Sequence, residues 1–143
     1  MAQRIGIVGA GIGGLVAALA LQRRGRRVTV YEAAPTLGEV GAGLTVTPNA
    51  TRAFRDLGLE PVLQELGTTP PRQAIKHWQD GRTLVEQVRG GATERRYGAG
   101  YYLIHRADLH AALAAAVRGH DPDALRLGHR LVEVAQDGRV QLG

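Results

Sequence analysis

The first apolar run of the chain, Arg4-Ile5-Gly6-Ile7-Val8, is short, does not alternate and is stopped by glycine, the pattern of a strand buried on both faces of a parallel sheet. Beyond the glycines, Ile12, Leu15, Val16 and Leu19 recur at helical spacing with alanines between them, which predicts a helix able to lie close against a sheet. Gly25 ends that helix, and Val28-Thr29-Val30-Tyr31 reads as a second strand with Glu32 at its C-terminal end. These pieces make a βαβ unit of the kind that opens a mononucleotide-binding half.

After Glu32 the pattern changes. Leu37 to Leu44 is a glycine-rich irregular segment, and a helix follows with Thr47 as N-cap, Pro48 as first residue, Ala50, Ala53, Phe54 and Leu57 on one face, and Gly58 as terminator. Pro61 to Gly67 predicts a second short helix. Arg72 to Gln79 and Arg82 to Val88 are strand-like runs separated by Asp80-Gly81, a strong hairpin signal, so antiparallel pairing enters the fold. Gly90 to Gly100 reads as a loop, Tyr101 to Ile104 as a strand and Arg106 to Arg118 as a helix whose stripe is Leu109, Ala112, Leu113, Ala116 and Val117. Strands at Leu125 to Leu127 and Leu131 to Ala135 follow, and Asp137-Gly138 turns the chain into Arg139 to Leu142. The fold class is therefore α/β, a βαβ unit with additional antiparallel strands, and residues 1–143 are expected to form part of one domain with a hairpin across 70–100.

Composition narrows the chemistry. A length of 143 residues gives room for one ordinary domain, and 44% hydrophobic with 22% charged residues and a mean hydropathy of -0.13 fits a globular chain rather than a disordered one. The absence of cysteine excludes disulfides, thiolate metal sites and a thiol nucleophile. The net charge of +5 is spread along the chain, with one dense cluster at Arg23, Arg24, Arg26 and Arg27, so it predicts a general preference for anions and no nucleic-acid partner. The uncharged run from Ile5 to Leu21 imitates a secretory leader. Its five glycines and the arginines that follow argue against one, and the run is short for a bilayer span, so a cytoplasmic protein without a membrane partner is expected.

Gly9-Ala10-Gly11-Ile12-Gly13-Gly14 matches G-x-G-x-x-G, where Gly9 makes the tight turn, Gly11 admits a pyrophosphate and Gly14 allows close helix–strand packing. Phosphates would sit at the N-terminus of the helix begun by Ile12 and Gly13, against free N–H groups and the positive dipole end. Glu32, eighteen residues beyond Gly14, is placed to accept hydrogen bonds from ribose hydroxyls and to repel a 2′-phosphate, which disfavours NADP in this site. Gly41 and Gly43 permit close approach of a ligand, but for loop glycines a plain turn is the stronger reading. Arg106 begins a helix, where a cation opposes the macrodipole; a bound anion and a local offset by Asp108 account for it equally well. None of the five histidines pairs with an acid at a ligand or triad spacing, so all, His110 included, are expected to be surface or filling residues, and Trp78 is expected in a core or interface. No catalytic residue and no metal site is assigned.

Gly9 to Gly14, Glu32, the stretch from Gly41-Ala42-Gly43-Leu44 to Pro48-Asn49-Ala50, and Ile104-His105-Arg106-Ala107-Asp108-Leu109 occur together and in order, and in this the chain resembles the FAD-dependent aromatic-ring hydroxylases, salicylate hydroxylase-like class A flavoprotein monooxygenases. The resemblance implies a Rossmann-like FAD-binding fold of which this chain is the N-terminal part, truncated relative to the family, with the 70–100 hairpin belonging to a substrate-side sheet. It further implies that Arg106 contacts the flavin, that Gly43 lies beside it, and that the Leu131 backbone touches the adenine region. The implied reaction consumes NAD(P)H and O2 and places one oxygen atom on a small aromatic substrate, in a protein that is a possible homo-oligomer. The family's downstream Gly-Asp motif is not in these residues, so the 143-residue chain alone is expected to be inactive. A non-catalytic FAD- or nucleotide-binding fragment or subunit is the alternative. An NAD-dependent dehydrogenase fits the residues up to Glu32 but not the hairpins after them.

Overall fold

A computed structural model describes residues 4–38, 41–135 and 139–142 of the chain. Ile5 lies beside Val28 and Ile7 beside Val30, because β1 (Arg4–Val8) and β2 (Arg27–Glu32) run parallel, joined by the crossover helix α1 (Ile12–Gln22). β7 (Leu125–Leu127) pairs with the other edge of β2, also in parallel, with Val30 beside Leu125 and Glu32 beside Leu127. The order β1-β2-β7 is that of the first three strands of a mononucleotide-binding half. It also corrects the expectation that β1 is buried on both faces. The central strand is β2, whose Val28 and Val30 are buried, while β1 lies at the edge with Ile5 and Ile7 half-buried and Val8 exposed.

The chain divides into two compact units, Met1–Val40 with Ala107–Gly143, and Gly41–Arg106. In the first, Leu15, Ala18 and Leu19 of α1 are fully buried, and Gly25 at φ +70 closes the helix where a side chain would be strained. The long helix α5 (Arg106–His120) buries Leu109, Leu113 and Val117 as the stripe predicts, and buries His110 and Ala114 as well. Gln22 Nε2 at the end of α1 donates to the Val117 carbonyl of α5. β8 (Leu131–Ala135) and β9 (Arg139–Leu142) form an antiparallel pair as expected; the Asp137-Gly138 turn lies outside the described residues.

The second unit pairs β3 (Gly43–Val46) with β6 (Tyr102–His105) antiparallel, against the helices α2 (Pro48–Asp56) and α3 (Glu60–Leu66). β3 starts within what reads as irregular sequence. Thr47 and Pro48 open α2 as predicted and Gly58 at φ +72 follows its end, but Ala53 is exposed and Thr51 takes the buried place beside Phe54. The Thr51 hydroxyl stays satisfied there by donating to the Gly100 carbonyl at 2.9 Å. The segment expected to be a loop holds α4 (Gly91–Tyr97), bounded by Gly90 at φ +60 and Gly98 at φ +68. The hairpin of β4 (Arg72–Lys76) and β5 (Thr83–Val88) therefore occupies only part of 70–100. Gly81 at φ +70 turns it, and Trp78, expected in a core or interface, stands 86% exposed at its tip, outside the core.

Candidate functional site

The turn between β1 and α1 is built around its glycines. Gly9 adopts φ +96, where L side chains are strained, and its N–H donates to the Tyr31 carbonyl of β2 at 2.8 Å. A Cβ on Gly14 would collide with the Gly9 carbonyl, so the close crossing of helix and turn requires hydrogen there. Gly11 is the extended N-cap residue of α1, and its carbonyl accepts the Leu15 N–H at 3.0 Å. Among the described residues, nothing beyond the adjoining backbone lies within 4 Å of a Cβ built on Gly11 or Gly13, and the first turn, begun by Ile12, carries no acidic side chain. The N-terminus of α1 thus presents its N–H groups and positive dipole end to open space.

Glu32 closes one side of this turn. Its Oε2 accepts the Ala10 N–H at 2.8 Å and its Oε1 accepts the Ala34 N–H at 2.9 Å. These two amides, Ala34 first, hold its carboxyl below the ordinary carboxylate range, with the nearby His110 adding to the same direction. Each carboxylate oxygen retains acceptor capacity after one amide bond.

His110 closes the other side. It is 5% exposed, and its Nε2–H donates to the Ala10 carbonyl at 2.6 Å; a carbonyl only accepts, so the proton is on Nε2. The expectation of a surface or filling histidine is corrected by this bond, which spans a hundred residues of sequence and leaves no trace in helical periodicity. Ala10, Gly11, Glu32, Ala34, Leu37 and His110 line a cavity of about 160 Å³.

In the second unit, the β3–β6 register sets Gly43 opposite His105, and the Arg106 N–H donates to the Ala42 carbonyl at 2.9 Å. Two residues singled out far apart in sequence, Gly43 and Arg106, are thereby brought to one end of one strand pair. A Cβ on Gly41 would meet the outer end of the exposed His105 imidazole, which could turn aside to make room; Gly43 faces open space. Leu131 lies in the first unit, half-buried at the start of β8 and opposite Leu142.

Residues 7–52 match the model of an NAD(P)-binding Rossmann-like domain. The chain is 40% identical over 138 residues to a 6-hydroxynicotinate 3-monooxygenase of Pseudomonas fluorescens, covering 96% of this chain and 35% of that enzyme. It is 39% identical over 133 residues to a 3-amino-4-hydroxybenzoate 2-monooxygenase of Streptomyces cremeus, covering 93% of this chain and 33% of that one. The chain is a relative of the FAD-dependent aromatic-ring hydroxylases. It spans about a third of the length of the relatives it matches. Among solved structures, 2-methyl-3-hydroxypyridine-5-carboxylic acid oxygenase in its tetrameric form superposes with a TM-score of 0.82 at 25% identity, over 98% of this chain and 35% of that one. Klebsiella pneumoniae HpxO, solved with FAD and uric acid, superposes with a TM-score of 0.79 at 26% identity, over 99% of this chain and 37% of that one. The α/β fold of this hydroxylase relative, a Rossmann-like βαβ unit with added antiparallel strands, agrees with both. None of its described helices is long and apolar enough to cross a membrane.

Proposed function

We propose that the chain is the N-terminal, cofactor-binding part of an FAD-dependent monooxygenase that hydroxylates a small aromatic, salicylate-like substrate with NAD(P)H and O2 in the cytoplasm. The observation that carries this reading is the open N-terminus of α1, whose N–H donors suit a pyrophosphate, flanked by the Glu32 carboxylate, an acceptor for an adjoining ribose. A Cβ on Gly11 or Gly13 would project into the space such a group needs. When bound, FAD supplies the redox and oxygen-transfer chemistry.

The chain's own residues bind and orient it. Gly9 shapes the turn and Gly14 lets the helix pack against it, Gly11, Ile12 and Gly13 hold the pyrophosphate through backbone N–H groups, and Glu32 accepts from the ribose hydroxyls. Arg106 is assigned to the flavin side, with Gly43 beside it through the β3–β6 pairing, and the Leu131 backbone to the adenine side. The test adds FAD to the purified protein and follows flavin retention, then supplies NADH or NADPH with a panel of hydroxybenzoates under air. FAD retained by these 143 residues supports the reading, with a product one oxygen heavier expected only from a protein of the relatives' full length, and a protein that retains no FAD rejects it.

A further inference from the structure

We propose that the groove formed by β3, α2, β4, α4 and Arg89 in the second unit holds the carboxylate of an aromatic acid between Arg89 and Arg52. This deepens the monooxygenase reading and rests on it for the identity of the acid. The groove encloses about 420 Å³, within the size range of small-molecule sites, and lies among residues 45–101 of one unit.

Arg89 is half-buried, and its Nε and Nη2 both donate to Gln73 Oε1, at 3.1 and 2.7 Å. The same guanidinium lies over the ring of the buried Tyr101, 4.6 Å from the centroid. Arg52 Nη1 donates to the Tyr97 carbonyl at 2.8 Å. Both cations are therefore oriented by neutral partners, and among the described residues neither has a carboxylate within ion-pairing distance. Two guanidiniums lining one groove without a carboxylate partner make it attractive to an anion. A guanidinium already fixed in place loses little freedom when it binds a carboxylate by two parallel hydrogen bonds.

The rest of the lining selects an aromatic acid over a bare ion. The exposed Tyr97 adds an aromatic side chain to the lining, and Thr45 and Asn49 offer a hydroxyl and an amide to ring substituents. The relatives are named for 3-amino-4-hydroxybenzoate and 6-hydroxynicotinate, each a planar ring bearing one carboxylate.

The experiment titrates purified protein, with FAD in the buffer, calorimetrically with 3-hydroxybenzoate and with the neutral 3-hydroxybenzamide. Unsubstituted protein is expected to prefer the acid by about tenfold or more, and Arg89→Gln to lose about ten- to a hundredfold in affinity for the acid but less than about twofold for the amide. Arg52→Gln should move the ratio in the same direction, and Arg89→Lys should restore part of it, which a merely misfolded variant would not show. Equal affinity for acid and amide, or a ratio unmoved by both glutamine variants, overturns the proposal. Inorganic phosphate competing as effectively as the aromatic acid also overturns it. An Arg89-dependent acid preference in a protein that retains no FAD upholds this site while rejecting the cofactor reading. FAD retention without any acid preference does the reverse.

Discussion

His110 and Ala10 are joined by a hydrogen bond of 2.6 Å that ties the long helix α5 to the glycine turn a hundred residues earlier. With Glu32 accepting the Ala10 N–H, both polar groups of Ala10 are occupied and the turn is held from two sides. Replacing His110 by Ala leaves a buried carbonyl without its donor and opens space beneath it. The expected loss is about 1–3 kcal/mol of unfolding free energy, with His110→Gln losing less, measured by denaturant titration. A loss below about 0.5 kcal/mol for His110→Ala would show that the bond is dispensable.

Gly13 and Gly14 separate binding from folding. A Cβ at Gly14 meets the Gly9 carbonyl, so Gly14→Ala should weaken both stability and FAD binding. Gly13 is helical with open space around it, so Gly13→Ala should leave stability unchanged or raise it by up to about 1 kcal/mol while lowering FAD affinity. Unfolding curves and flavin fluorescence titrations on the same samples check both halves. Full FAD affinity in Gly13→Ala would place the pyrophosphate elsewhere.

The lowered Glu32 carboxyl makes stability depend on pH in one direction. Its folded value lies below the unfolded one, so its contribution is complete above the ordinary carboxylate value of about 4.3 and is lost as pH falls through the depressed value. The stability gap between the unsubstituted protein and Glu32→Gln should therefore be constant near neutrality and shrink below about pH 4. A gap that widens on acidification would contradict the two amide bonds.

The βαβ unit was legible in sequence because glycine spacing, an apolar run and a helical stripe all imposed the same local structure. What escaped depends on pairing at long range. β3 lies in a glycine-rich stretch and becomes a strand only by pairing with β6 some sixty residues later. Residues 91–97 look like loop because glycines bracket them, yet Gly90 and Gly98 at positive φ are the ends of α4. His110 sits beside the apolar stripe of α5, and only the arrival of the Ala10 carbonyl makes its burial favourable. Trp78 lies outside the core because the hairpin carries it to an exposed tip, which leaves the interface half of its expectation.

Arg106 opens α5 and Arg118 lies in its last turn, so the pair tests position against charge. Arg106→Ala should weaken FAD retention about tenfold, the scale of one charge-assisted hydrogen bond, and Arg118→Ala should leave it unchanged. Dialysis followed by the flavin absorbance of each variant measures this. Equal retention by the two would assign Arg106 to local electrostatics.

The central claim is that the Gly9 to Gly14 turn and Glu32 bind the ADP half of FAD, and the most direct measurement is the FAD dissociation constant of Glu32→Ala beside that of the unsubstituted protein, at neutral pH and fixed salt. Loss of charged hydrogen bonds worth about 1.5–3 kcal/mol predicts a fall in affinity of about one to two decades. Identical dissociation constants, in a variant shown by its unfolding curve to be folded, would contradict the account.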